Sequence, residues 1–227
     1  MTETELTDLI ISFMAQQGCP LAASEAGLCA KHILLMQQWN RRVNLTRITD
    51  LQEILIKHLL DSLAPTRWLP GRGHALDIGT GAGFPGIPIK ITRPGLSMVL
   101  LEAQQKKFSF LKVVLSNLHL EHISAVHGRW QDPIAAEEAV APFDLVTMRA
   151  LRLNPAEFAQ LTRLLKARGA LAWWTGAGED DSIIKAYNSA LLGTAIEYEG
   201  CFAYDLPSLL KPRHICIWRR SSGGESN

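Results

Sequence analysis

The sequence predicts an α/β protein: a doubly wound, mostly parallel sheet finished by a terminal antiparallel strand and preceded by a helical N-terminal extension. Three observations carry this. From about residue 74, short apolar runs alternate with helical stretches, the pattern of repeated β-α-β units. Before that point there is amphipathic helical periodicity and no strand candidate. At 227 residues the chain can hold one sizeable core with an appendage. The expected divisions are residues 1–70 for the extension, 71–220 for the sheet domain and 221–227, SSGGESN, for a flexible tail.

In the extension Leu6, Leu9, Ile10, Phe13 and Met14 recur at helical spacing, as do Leu28, His32, Leu35 and Trp39. A third helix is expected from Thr49-Asp50, because both Thr49…Gln52 and Asp50…Glu53 have capping-box spacing; it runs through Ile54, Leu55 and Leu59, with Pro65 ending it. Strands are expected at Ala75–Ile78, Met98–Leu101, Ile123–Val126, Phe143–Met148 and Ala170–Trp174. Helices are expected near Pro85–Thr92, Lys106–Leu118, Gln131–Ala139 and Pro155–Arg168. The last has Asn154 as N-cap, Pro155 at N1, Glu157 at N3 and Gly169 just past its end. A helix near Asp181–Leu192 and two closing strands, Ile196–Tyr204 and His214–Trp218, complete the chain.

A hydrophobic content of 47% with 20% charged residues excludes a disordered chain, and a formal charge of +1 excludes an overall basic nucleic-acid coat. Cys19, Cys29, Cys201 and Cys216 form no C-x-x-C, so neither a zinc ribbon nor a disulfide framework is expected, and no metal. The N-terminus is acidic before a short apolar run, the wrong polarity for a secretory signal, and no run of 18 apolar residues suggests a membrane span. A soluble, cytoplasmic, monomeric protein is expected.

The first strand runs directly into Gly79-Thr80-Gly81-Ala82-Gly83-Phe84-Pro85-Gly86. Glycines at a strand-to-helix turn allow positive φ and close approach of backbone to a ligand. No Gly-Lys-Ser/Thr follows, which removes the nucleotide-triphosphate loop, and G-x-G-x-G replaces the dinucleotide spacing G-x-G-x-x-G. Glu102 ends the second strand, 23 residues after Gly79, where a carboxylate can accept hydrogen bonds from ribose hydroxyls. A mononucleoside with a short anionic tail, such as S-adenosylmethionine, fits this pattern.

With these motifs the sequence resembles the bacterial 16S ribosomal RNA guanine-N7 methyltransferases, also called the glucose-inhibited division protein B family. The resemblance lies in Trp39–Thr46 (WNRRVNLT), His58–Leu63 (HLLDSL), Asp77–Ile89 (DIGTGAGFPGIPI) and Phe143–Ala150 (FDLVTMRA), with Glu102, Lys106, Lys107 and Phe110-Leu111-Lys112. It implies a class I, Rossmann-like fold and S-adenosyl-L-methionine as cofactor. The substrate it implies is a guanine of 16S ribosomal RNA, in the decoding region of the small ribosomal subunit. On this resemblance Asp77, Gly79, Gly81, Gly83 and Phe84 line the cofactor pocket, Glu102 holds the ribose, Trp130 and Gln131 lie along the adenine, and Arg149 meets cofactor and guanine. The family usually has a small residue and a glutamate in place of Trp130-Gln131, and a lysine-glycine pair where this chain has Trp174-Thr175-Gly176.

Guanine N7 carries a lone pair and no proton, so its methylation needs alignment and electrostatics rather than a general base or nucleophile. The segment Thr147-Met148-Arg149-Ala150 lacks the Asn/Asp-Pro-Pro-aromatic pattern of exocyclic-amine methylases, and no cysteine lies beside the glycine loop as pyrimidine C5 chemistry requires. Arg149 has as alternative a structural pairing with Asp144 or Asp77. Residues 31–72 hold seven Lys/Arg against Asp50, Glu53 and Asp61, giving a local +4 suited to RNA phosphates or to a solvated helix face. Within it Arg41, Arg42 and Asn44 are candidate RNA contacts. His58, Asp61 and Ser62, at i, i+3 and i+4, would share one helix face and meet Asn44 or the RNA. Three other readings stay open: a same-fold methyltransferase with another substrate, a noncatalytic ribosome-associated module that binds the cofactor, and an NAD-linked oxidoreductase.

Overall fold

A computed structural model describes residues 1–132, 142–176, 181–207 and 209–222. Its centre is a seven-stranded sheet in the order β3-β2-β1-β4-β5-β7-β6, with β1 Gly73–Ile78, β2 Leu96–Glu102, β3 Ile123–His127, β4 Phe143–Arg149, β5 Leu165–Thr175, β6 Ile196–Tyr204 and β7 Arg213–Arg220. The first five strands pair in parallel and β7 pairs antiparallel with both β5 and β6. The strand order reverses between β1 and β4, so the crevice at their carboxyl ends is where an α/β sheet binds ligands.

Strand periodicity divides the core into two layers. Ala75, Met98, Leu100, Leu145, Ala172, Trp174 and Ile217 pack to one side, and Leu76, Val99, Leu101, Val146, Leu171, Trp173 and Trp218 to the other. The first layer is covered by α1 Glu3–Gln16, α2 Ala23–Asn40, α5 Gly86–Thr92 and α6 Gln105–Leu118; the second by α7 Pro155–Leu161 and α8 Asp181–Ala190. Asn154 caps α7 as its sequence implies, accepting from Glu157 N at 2.9 Å while Glu157 reaches back to Asn154 N at 3.0 Å.

Several expected boundaries are corrected. The helix expected to run from Pro155 to Arg168 stops at Leu161; a 3-10 turn, Thr162–Leu164, leads into β5 at Leu165, so Gly169 is a strand residue. A side chain at Gly169 would strike the Phe143 carbonyl, 2.7 Å from a built Cβ, so strand packing sets this glycine rather than a helix end. Pro65 does not end the third helix. Asp50 caps α3, Leu51–Ile54; the chain then forms a π-helical turn, Leu55–Leu60, a further turn α4, Asp61–Leu63, and a 3-10 turn, Ala64–Trp68, that contains Pro65 near its start, where its missing N–H costs least. The helix expected near Gln131–Ala139 falls largely outside the described residues, as does most of the tail; Ser221 N bonds the Ala195 carbonyl at 2.8 Å.

Cys201 and Cys216, with no expected pairing, stand opposite each other on the β6–β7 ladder, Cα atoms 4.0 Å apart, and form a disulfide. Sheet register brings them together across 15 residues, which spacing alone does not disclose. Among the described residues no helix is long and apolar enough to cross a membrane, and no cluster of three His, Cys, Asp or Glu could hold a metal.

Candidate active site

The carboxyl ends of β1, β2 and β4 surround a cavity of about 470 Å³, within the range of small-molecule sites. Ile78, Gly79, Glu102, Trp130, Gln131 and Arg149 are among its walls. Gly79, Gly81 and Gly83 have φ of 65°, 62° and 89°, the left-handed region that a β-carbon disfavours. A Cβ built at Gly79 meets nothing within 4 Å, so the open space of the cavity lies directly against this backbone. Glu102, 4% exposed, accepts from Gly81 N at 2.9 Å through one carboxylate oxygen and from Gln104 N at 2.7 Å through the other. Each oxygen keeps acceptor capacity for a further donor. A buried carboxylate acceptor, an aromatic wall at Trp130 and an uncovered glycine backbone fit a nucleoside with a short polar tail.

Asp77 is fully buried beneath the loop. Its carboxylate accepts from Gly86 N at 2.9 Å and from the Thr147 hydroxyl at 2.7 Å. Burial raises its pKa to about 6 against the opposing pull of these donors. Phe84, also buried, stacks on His32 of α2 at 4.6 Å and on His58 at 4.9 Å, with the Arg149 guanidinium 5.8 Å above its ring. His32 Nε2 donates to the Ala82 carbonyl at 2.7 Å. These contacts form a column of rings from the N-terminal helices, across the glycine loop, to Arg149.

Arg149, at the end of β4, donates to the Lys57 carbonyl at 3.1 Å and the Asp61 carboxylate at 3.2 Å, and its other nitrogen points to His58 Nδ1 at 3.3 Å. Arginine has only donors, so His58 Nδ1 accepts and the ring proton resides on Nε2, which donates to Thr46 Oγ1 at 3.2 Å. Burial first, and the Arg149 charge second, lower the His58 pKa to about 3, in accord with a neutral ring. Asp61 also accepts from Arg213 Nε at 3.1 Å, from Arg213 Nη2 at 3.2 Å and from the Tyr204 hydroxyl at 2.7 Å, while its backbone carbonyl takes Trp174 Nε1 at 2.8 Å. One carboxylate thus faces two guanidiniums, leaving a net positive charge. Beside this cluster lies a second cavity of about 380 Å³, bordered by Ile48, Leu206, Leu209, His58 and Arg213, and Arg149 and Ala150 are walls of both cavities. Ala150 sits at φ 55°, an unusual conformation for a non-glycine residue, placed where the cavities meet.

The model of a protein family described as rRNA small subunit methyltransferase G matches residues 28–205. The chain belongs to this family. Among its relatives, Ribosomal RNA small subunit methyltransferase G 1 of Syntrophobacter fumaroxidans is 41% identical over 221 residues, covering 96% of this chain and 99% of the relative. The Streptococcus pneumoniae Ribosomal RNA small subunit methyltransferase G is 31% identical, covering 91% of this chain and 87% of the relative. In fold the chain resembles fibrillarin of Aeropyrum pernix, solved with natively bound S-adenosyl-L-methionine, at TM-score 0.55 and 16% identity over 70% of this chain and 73% of fibrillarin.

In this member of the rRNA small subunit methyltransferase G family the residues singled out by sequence fall into three groups. Gly79, Glu102, Trp130, Gln131 and Arg149 border the first cavity. Asp77, Gly83 and Phe84 do not: they are buried behind the loop and hold its shape, and Gly81 contributes its N–H to Glu102. Of the RNA candidates, Arg41, Arg42 and Asn44 are exposed near the end of α2, and His58 borders the second cavity. Ser62 is corrected: it is fully buried and its hydroxyl bonds the His58 carbonyl at 2.6 Å. Asp61, 2% exposed, is a wall of the second cavity, and its carboxylate accepts from Arg149, Arg213 and Tyr204. Thr46, not Asn44, reaches His58, because Asn40 pins the intervening turn by accepting from Leu45 N and Thr46 N. The structural pairing of Arg149 is with Asp61, since Asp144 is taken by His74 N and Lys166, and Asp77 by Gly86 and Thr147. Sequence spacing does not disclose His32 as a support of the loop, nor Tyr204, Arg213 and Trp174 as partners of Asp61.

Proposed function

We propose that this chain transfers a methyl group from S-adenosyl-L-methionine to N7 of a guanine in 16S ribosomal RNA. The observation that carries this reading is the pair of adjoining cavities at the carboxyl ends of the central strands, separated by Arg149 and Ala150. The first holds the cofactor: Glu102 accepts from the ribose hydroxyls, Gly79 and Gly81 give its tail close passage, and Trp130 and Gln131 flank the adenine. Asp77, Gly83 and Phe84 keep the loop in shape. When bound, S-adenosyl-L-methionine supplies the electrophilic methyl group.

The second cavity takes the target base. Arg149 and Arg213 present donors and an unbalanced positive charge that suits guanine O6 or a flanking phosphate. His58, neutral and spent on Arg149 and Thr46, orients the guanidinium and moves no proton, as a reaction at a proton-free ring nitrogen requires. A third cavity of about 270 Å³, sharing Ile48 with the second and bordered by Asn40 and Arg41, continues the positive surface toward Arg42 and Asn44. These residues contact RNA phosphates. The partner is the folded small subunit or its precursor, since splayed bases in structured RNA are what side chains read. Both cavities belong to one chain, which acts as a monomer in the cytoplasm.

The test is transfer of labelled methyl to small subunits from a strain lacking the endogenous guanine-N7 enzyme. Label at a single guanine, lost in Arg149→Ala and Gly81→Trp, is the expected result. Cofactor binding without label in any RNA would point to a noncatalytic module, and label confined to small-molecule acceptors to a different substrate.

A further inference from the structure

The connection from β6 to β7 carries two consecutive leucines outward. Leu209 borders the second cavity with Leu206, and the next residue, Leu210, is 105% exposed, the most exposed large apolar side chain among the described residues. A solitary surface leucine is ordinary. Leu210 differs in its setting: Pro212, whose ring fixes its own φ, follows it, Lys211 stands beside it, and Arg213 extends from the same segment to Asp61. The segment that supplies Leu209 and Arg213 to the cavity assigned to the target base thus carries, next to Leu209, a fully exposed apolar side chain flanked by Lys211.

A guanine within a folded RNA must leave its stack to enter a cavity, and the gap it leaves costs stacking energy. Proteins that distort stacked nucleic acids commonly insert an apolar side chain, leucine among them, between bases. We propose that Leu210 is such a wedge: it enters the stack beside the target guanine, fills the space the base vacates and favours its stay in the second cavity, while Lys211 holds an adjacent phosphate. This rests on the reading of the second cavity as the base site. Leu210 is here a positioning residue, touching the RNA but not the reacting atoms.

The experiment compares wild type, Leu210→Ala, Leu210→Met and, as a control, Leu192→Ala, an 80% exposed leucine that borders neither cavity. Small ribosomal subunits lacking the modification are the probe. Three quantities are read: subunit affinity with S-adenosylhomocysteine present, the single-turnover rate of methyl transfer, and chemical reactivity of the target guanine and its neighbours in the bound complex. Leu210→Ala is expected to bind subunits within about threefold of wild type but to transfer methyl roughly 10- to 100-fold more slowly, because the unstacked state loses its filler. The raised reactivity of bases around the target should disappear with it. Leu210→Met should restore both, and Leu192→Ala should match wild type. Leu210→Ala at the wild-type rate, or a loss confined to subunit affinity, would overturn the wedge, the latter making Leu210 a docking contact. Wild type that binds subunits, raises reactivity at the target and leaves no label would overturn the transferase reading alone. No label and no raised reactivity would overturn both.

Discussion

The two cavities that meet at Arg149 are built by different means. The first rests on local chain geometry: a run of glycines at one strand end, a carboxylate at the next and the backbone amides from which that carboxylate accepts. The second is made of side chains brought from β4, β6 and β7 onto one buried carboxylate, Asp61 of α4, whose partners lie 88 to 152 residues away. A backbone site tolerates loss of one side chain, whereas a charge cluster fails when its only anion is removed.

The sharpest way to break this comparison is Asp61→Ala. It strands two part-buried guanidiniums and the Tyr204 hydroxyl, and should lower stability by about 3–5 kcal/mol, measured by urea unfolding. A loss under 1 kcal/mol would mean the cluster is not held by its carboxylate. Arg149→Lys comes next. A lysine keeps the charge but cannot engage the Lys57 carbonyl, Asp61 and His58 together, so methyl transfer should fall about 100-fold while S-adenosylhomocysteine affinity changes much less. If affinity falls equally, Arg149 belongs to the first cavity rather than to the divide.

A pH titration separates the regions by their ionisable groups. His32 and His58 are held by burial at pKa values of about 4 and about 3, so below pH ~6.5 the unfolded chain takes up protons that the folded chain refuses, and stability falls as pH drops. Asp77, raised to about 6, acts the other way and partly offsets this loss as pH falls through 6. The net expectation is a decrease on the order of 2 kcal/mol between pH 7 and pH 5. A flat profile would show both imidazoles accessible to protons in the folded state. The smallest effect is expected from Glu102→Gln, where two backbone amides keep an oxygen acceptor for one of them: cofactor affinity should weaken about tenfold by calorimetry, with unfolding shifted by less than about 1 kcal/mol.

The same division explains what could be read from sequence. The strands and their mostly parallel arrangement follow from alternating apolar runs, and the glycine loop and Glu102 are contiguous motifs at strand ends, so they were legible. The roles of Asp77 and Phe84 were not: both lie in the motif, but whether a side chain faces ligand or core depends on the alternation of β1 and on the packing of α2 behind the loop. The Asp61 cluster was half visible. His58 and Asp61 stood out by helical spacing, yet the π-helical turn changes which neighbours they meet, and no spacing connects them to Tyr204 or Arg213. Ser62, on the expected face, points inward and spends its hydroxyl on the His58 carbonyl. The Leu161 end of α7 escaped notice because Thr162–Leu164 continues in a tighter turn with no glycine to mark the stop.

The path of the ring column and the Asp61 cluster bears on engineering. Each crosses residue 70, the place where composition suggests that the helical extension joins the sheet domain. Exchanging residues 1–70 for those of a relative, to redirect the enzyme to another RNA, would also exchange the counterion of Arg149 and Arg213 and the imidazoles that brace Phe84. Such a chimera would need its junction partners transplanted with it, so specificity and fold in this chain are inherited together.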